Sequence, residues 1–232
     1  MKRGALSAAA ALVAAVGLAA QLPAAAVTDP DAAAAIERFL ARPAGPHQYR
    51  ASRKLEASGS GQQGWLDVQT HFAPASGFAY EVTAEGGSGY IRTRVLRSLL
   101  NEEQRAIASG RTRDVALSEE NYEFHPEGIN PEGLAVVRIQ PIRKERALIK
   151  GRMFLTPDEG DLVRVEGTLV KNPSFWTTRV NVVRSYRRID GIVMPVALET
   201  TAQLRLFGSS ALRMTYQYSH IDERPVREAE RP

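Results

Sequence analysis

From Leu134 to Asp222 the chain reads as a succession of long alternating segments with almost no helical periodicity. Period-2 segments joined by short turns pair antiparallel, each with the next, and one face of the resulting sheet must be buried. The segments are Leu134–Ile142, Leu148–Leu155, Leu162–Lys171, Phe175–Ile189, Ile192–Leu206 and Ala211–Ile221. Turn residues separate them at Pro157-Asp158-Glu159-Gly160, Lys171-Asn172-Pro173, Asp190-Gly191 and Gly208-Ser209. Asp190-Gly191 is the strongest hairpin signal, because both residues tolerate the positive φ of a tight turn.

Upstream, three shorter strands are expected at Tyr49–Ala57, Gln63–Phe72 and Phe78–Glu85, a meander broken by Ser/Gly and Pro/Gly clusters. Two segments change period. Asp29–Leu40 begins on a capping residue and places Ile36, Phe39 and Leu40 on one face. Ile91–Ser109 places Ile91, Val95 and Leu99 on one face with Leu96 and Leu100 beside it, and Gly110 suits its C-terminal cap. Ser118–Tyr122 reads as a further helical turn, and Pro126, Gly128, Pro131 and Gly133 as a long irregular link.

Eight or nine strands with two or three helices give an α+β fold that is mainly antiparallel β. One sheet face must be covered, either by a second sheet or by helices. A helix placed between three early strands and six later ones favours a curled half-barrel sheet with covering helices. Such a sheet leaves a concave apolar surface, the usual form of a ligand site.

The first residues carry an export pattern: Lys2 and Arg3, an apolar run from Ala5 to Ala20, and small residues Ala24-Ala25-Ala26 before Val27. The run is short for a bilayer span. The expected organisation is a signal peptide over 1–26, a single domain over 27–222 and a charged, disordered tail over 223–232. The mature chain is then periplasmic or secreted and not membrane-spanning. It contains no cysteine, so it uses neither disulfides nor thiolate zinc sites. Without Lys2 and Arg3 the basic count falls from 30 to 28, against 26 acidic residues. That interspersed balance lacks the clustered basic stripe of a nucleic-acid binder.

The strand Leu162-Val163-Arg164-Val165-Glu166-Gly167, the hairpin from Arg184 through Asp190-Gly191 to Pro195, and the closing Leu212-Arg213-Met214-Thr215-Tyr216 carry a resemblance. In this pattern, and in its overall layout from Asp31 to Asp222, the chain resembles the lipoprotein-carrier superfamily of the bacterial envelope, the LolA/LolB/RseB-like fold. Pro173-Ser174-Phe175-Trp176 resembles a secreted branch of it. The resemblance implies a half-open barrel capped by helices, an apolar cavity for acyl chains, and neither enzyme activity nor a cofactor or metal. No lipoprotein-handling motif matches residue by residue, so the cargo stays open among an acyl chain, a phospholipid and a lipoprotein.

The candidate lining comes from the late strands: Val163 and Val165; Trp176, Val180 and Val182, allowing a bulge; Met194, Val196 and Leu198; Leu212, Met214 and Tyr216. Methionine suits an adaptable lipid site, although ordinary core packing gives the same alternation. Trp65 is the other tryptophan, and a core position suits it equally. Ile91–Leu100 is the candidate lid, hinged at Gly86-Gly87-Ser88-Gly89, with Arg92, Arg94 and Arg97 as possible phosphate contacts or merely a solvated face.

Catalytic signals are weak. His47, His71, His125 and His220 show no metal spacing, and no serine sits in a G-x-S-x-G setting. Asp158, Glu159 and Asp161 do not match a calcium loop. His71 and Glu81 fall on adjacent strands but lack a nucleophile. The expected function is binding or transport of a lipid or lipoprotein without catalysis. A protein-binding envelope sensor or accessory factor is the alternative, and a secreted hydrolase the remaining one.

Overall fold

Asp29 caps the first helix, α1 (Pro30–Leu40), by accepting the Asp31 amide at 3.0 Å, and Pro30 opens it where a missing N–H costs nothing. The structure is a computed structural model and describes residues 29–43, 45–145, 147–171, 177–204 and 208–227. The expected signal peptide and the cleavage site after Ala26 lie outside the described residues, as do Trp176 and residues 228–232 of the tail.

Three strands follow α1: β1 (Tyr49–Gly59), β2 (Gln62–Ala73) and β3 (Gly77–Gly87). A π-helical stretch, Ile91–Arg97, runs directly into α2 (Ser98–Ala108), and a 3-10 turn spans Arg111–Val115. The wider π turn differs from the regular helix expected over this segment. Its buried residues are Ile91 and Leu96, five apart, and the α-helical register then brings Leu100 onto the same side. Seven more strands complete the main sheet: β4 (Tyr122–Ile129), β5 (Ala135–Pro141), β6 (Ile149–Leu155), β7 (Leu162–Leu169), β8 (Thr177–Ile189), β9 (Ile192–Leu204) and β10 (Gly208–Ile221).

Two expectations, the long irregular link and the start of the tail, need correction. The turn at Ser118–Tyr122 is present, with the Asn121 and Tyr122 N–H groups donating to Ser118 O at 3.0 and 2.9 Å, but the first part of the expected irregular link is instead β4, which accommodates Pro126 and Gly128 through a bulge at Glu127, and only Pro131–Gly133 remains a turn. Pro126 lacks a donor, and β4 is an edge strand, where a missing donor is tolerated. The tail does not become disordered at Glu223. Arg224–Pro225 forms a short strand, β11, on β10, and Val226 is buried with its N–H donating to Ser219 O at 2.9 Å.

The strands form one open, curled sheet in the order β3-β2-β1-β10-β9-β8-β7-β6-β5-β4, with β11 beside β10 and all pairs antiparallel. Both helices cover the same face: α1 crosses to the half of the sheet remote from its place in the sequence, and α2 folds back over the three strands that precede it. α1 precedes β1 but packs on β4, β5 and β6, while the π stretch and α2 pack on β1, β2 and β3. Two apolar cores result. Ala32, Ala35 and Ile36 meet Val137, Ile139, Met153, Leu155 and Val165. Ile91, Leu96 and Leu100 meet Leu55, Leu66, Val68, Phe78 and Met214.

Strong curvature needs close backbone approach. Gly151 on β6 faces Gly167 on β7, and a Cβ on Gly151 would lie 2.6 Å from the Gly167 Cα. Only a residue without a side chain fits there.

Candidate functional site

The register of the sheet draws one line across the concave face. Val137, Met153, Val165, Arg184, Leu198, Met214, Leu55 and Leu66 are consecutive cross-strand partners on β5, β6, β7, β8, β9, β10, β1 and β2. Val137, Met153 and Val165 belong to the core under α1, whereas Met214, Leu55 and Leu66 belong to the core under α2. Between the two helix-covered zones lie β8 and β9. Seven positions of the line are apolar and one is charged: Arg184, at the junction.

Arg184 is half-buried, and so is its neighbour Tyr186. Its guanidinium lies 5.7 Å from the Tyr186 ring centroid and beside the Tyr186 and Tyr216 hydroxyls. Its Nε is buried without a hydrogen-bond partner. Burial pushes the Tyr186 phenol above its ordinary range, so it stays protonated at neutral pH.

A second guanidinium, Arg53, stands on the same face of β1, only 3 % exposed. It donates to both Glu103 oxygens on α2, at 2.7 and 3.1 Å, and to the Tyr49 hydroxyl at 2.9 Å. The Phe78 and Tyr216 rings flank it, with centroids at 4.9 and 4.7 Å. Burial disfavours its charge, but Glu103 more than offsets that, by charge and hydrogen bonding, and holds Arg53 above its ordinary range. The same surroundings push the Tyr49 phenol up to about 12, burial being the main cause. Arg53 and Glu103 thus tie α2 to the sheet. A polar thread runs Glu103–Arg53–Tyr216–Arg184–Tyr186 through an otherwise apolar concavity.

The expected lining residues distribute as follows. Val165 is buried under α1, and Met194, Met214 and Tyr216 are buried in the core under α2. Val196, Leu198 and Leu212 are partly buried at the margin of that core. Val180 and Val182 are buried, share the face of Arg184 and join neither core. Val163 has no register partner. It is the extra residue of a bulge between Leu162 and Arg164, so it does not continue the alternation of Val165.

Several weaker candidates are occupied otherwise. Trp65 lies against Gly86, where an added Cβ would sit 2.6 Å from its Nε1. Arg92 and Arg97 both pair with Glu85 on β3, the latter at 2.6 Å, which leaves Arg94 as the exposed member of that set. These arginines hold the Glu85 carboxyl below the usual range, the Arg97 hydrogen bond first. The Gly86–Gly89 hinge is clasped as well, since the Ser88 N–H donates to Gln63 O at 2.7 Å. Asp161 binds Arg42 and Arg188, and Glu159 binds Arg188, so arginines take the place of a calcium ion. His71 pairs with Ala79 and Glu81 with Gln69, which sets the two side chains diagonally across the ladder.

Two open concavities occupy the ends of the β1–β2 hairpin. One, of about 530 Å3, is lined by Tyr49, His71, Phe72 and His220, and the other, of about 440 Å3, by Ser and Gly residues of the turn. The larger sets Arg50, His71, His220 and Glu223 beside Tyr49 and Phe72, charged and titratable neighbours that suit a wetted cleft more than an acyl site. No described helix is long and apolar enough to cross a membrane.

Sequence reasoning missed Arg53 and Arg184. Both carried a signal: each stands at an inward position of an alternating strand, Arg53 between Ala51 and Leu55, Arg184 between Val182 and Tyr186. A charge at such a position requires a partner.

Comparison with known proteins finds no matching family model and no matching curated protein. Among solved structures, the chain is similar to a DUF1329 family protein from Desulfovibrio piger at 11% identity and a TM-score of 0.41, covering 82% of this chain and 92% of that one. It is similar to a LolA superfamily protein from Nitrosomonas europaea at 12% identity and a TM-score of 0.40, covering 85% and 96%. A third is MucB, at 10% identity and a TM-score of 0.25, covering 87% and 95%. The class of fold, an open, curled antiparallel sheet with helices on one face, is defined by this chain's own strand order. No residue role is taken from them.

Proposed function

We propose that the protein is an envelope carrier that holds an acyl chain, whether free, of a phospholipid or of a lipoprotein, in a trough formed by β8, β9 and the adjoining side of β10. The observation that carries this reading is the apolar register line, which continues across eight strands while the helices cover only its two ends. Val180, Val182, Val196, Leu198 and Leu212 supply the apolar wall. Each methylene removed from water there contributes about 0.8 kcal/mol. The segment Ile91–Ala108 acts as the movable cover, released when Arg53 and Glu103 part, and it pivots after the clasped Gly87-Ser88 corner. The reading is one of binding, with no catalytic step.

The test is native mass spectrometry with lipid extraction on protein recovered from a periplasm. Stoichiometric co-purified lipid is the expected result. A clean protein mass, with no uptake of added fatty acid or phospholipid, sinks the carrier reading.

A second reading rests on the sheet edge. β3 is an eleven-residue edge strand without Lys or Pro, and such an edge accepts an added strand from a protein partner. β4, the opposite edge, carries Pro126 and a bulge. An envelope sensor or accessory role would use β3. Replacing the outward Glu81 by Pro should abolish partner capture under this reading and leave lipid uptake intact.

A further inference from the structure

The concavity holds two guanidinium groups and one carboxylate. Glu103 neutralises Arg53 through two hydrogen bonds. Arg184 forms no ion pair among the described residues. Its neighbours are phenols, and Tyr186 stays neutral. Its Nε finds no acceptor.

In the folded chain by itself this charge is held by the Tyr186 and Tyr216 oxygens and a more distant Glu103, against the cost of burial, with no carboxylate in direct contact. A buried or half-buried charge needs an opposite charge or full hydrogen bonding, and an apolar residue of the same volume packs better. The register line makes the point sharper, because every other position across eight strands is apolar. Methionine at 184 would continue the wall from Val165 to Leu198. What Arg184 lacks is an oxyanion, and its planar fork bonds one through two parallel N–H donors. The Tyr186 and Tyr216 hydroxyls stand ready as further donors to the same oxyanion.

We propose that Arg184, with Tyr186 and Tyr216, receives the singly charged oxygen head group of an acyl amphiphile, a carboxylate or a phosphodiester, whose chain lies along Val180 and Val182 or Leu198 and Leu212. The proposal rests on the carrier reading and adds the ligand's polarity: an acid goes into the trough head first, and an uncharged chain of equal length is discriminated against. Arg53 cannot serve in this way, since Glu103 already occupies its donors.

The experiment measures binding of dodecanoate, lauroyl lysophosphatidylglycerol and dodecanol, each below its aggregation limit, to the wild-type chain, Arg184→Met and Arg184→Lys. Wild type should bind at least one anion 10- to 100-fold more tightly than dodecanol, the size of a charge-assisted bond in a sheltered site. Whichever anion binds more tightly separates a free carboxylate from a phosphodiester. In Arg184→Met the preference should fall to within about twofold, with dodecanol binding unchanged or stronger. Arg184→Lys should keep part of it, and it decides the matter if the Met variant fails to fold. Acetate and inorganic phosphate without a chain serve as competitors, and displacement by them alone at equal concentration would mean an anion site without a lipid. Equal binding of acid and alcohol by wild type, or a preference that survives in Arg184→Met, overturns the head-group inference and leaves the carrier reading standing. Failure of all three amphiphiles to bind removes the carrier reading itself.

Discussion

Replacing Glu103 with alanine tests whether a charge pair holds α2 on the sheet. Arg53 is 3 % exposed and lies between two aromatic rings, so its charge has little access to water. Breaking a fully buried pair from one side costs about 3–5 kcal/mol, because the remaining charge stays behind uncompensated. Here Glu103 keeps 31 % of its side-chain surface exposed. Its truncation therefore opens a path by which water can reach Arg53, and the Tyr49 hydroxyl remains as an acceptor. The expected loss is accordingly about 2–3 kcal/mol, just below that range. For a domain of this size that corresponds to a fall in Tm of roughly 4–12 °C. Equilibrium urea unfolding of wild type and Glu103→Ala supplies the number, and amide exchange over 98–108 shows whether the loss is concentrated in α2. The double variant Arg53→Met with Glu103→Leu should recover most of the stability, since neither charge is then stranded. A loss below about 0.5 kcal/mol for Glu103→Ala, the size of an exposed pair, would refute the reasoning: Arg53 would already be solvated and the helix held by apolar contacts alone.

Other outcomes follow from the same geometry. Gly151→Ala should cost more than about 2 kcal/mol in urea unfolding, because its Cβ meets the Gly167 backbone at 2.6 Å; a neutral result would mean that β6 and β7 can separate freely. Val226→Ala should cost about 1.5 kcal/mol, two buried methylenes, whereas a tail without packing predicts no change. Glu85 has its pKa depressed by Arg97 and Arg92, so the stabilisation it gives the hinge is complete above the ordinary carboxylate range and is lost as pH falls through its lowered pKa. Amide exchange at Ile91–Arg97 should therefore show constant opening free energy near neutrality and a decline in acid; in Glu85→Gln that decline should vanish.

Alternation carried most of the fold. Every strand from Ala135 to Ile221 is legible as a period-2 run because one face is packed and the other is wet. What escaped were the places where the ladder slips. At Val163 and at the Ser185/Tyr186 step, bulges alter the alternation, and a single extra residue sends all that follows to the other face. β4 escaped because Pro126 and Gly128 are turn residues by type, and only its edge position makes them tolerable. The inward apolar positions were legible from type alone, but the two inward arginines were not, because charged residues in strands are usually outward. Their meaning arises from side chains distant in the sequence, Glu103 for Arg53 and Tyr216 for Arg184, and from the absence of an ion pair to Arg184 among the described residues.

The pairing of β1 with β10 sets the timetable on which this molecule can be made. Tyr49 meets Ile221, and each of the other neighbours in the main sheet is also a neighbour in the sequence. The meander β1–β3 therefore has no lateral support until the last long strand has emerged. Before that moment the inward side of β1 and the apolar side of α2 have only each other and two strands to cover them, and small isolated sheets are marginal. Closing so long a loop is slow more than it is costly, since its entropy grows only with the logarithm of length. A chain cut short before β10 leaves both halves of the sheet with a raw edge, and a chain threaded outward from its N-terminus completes its fold only after nearly all of it has crossed.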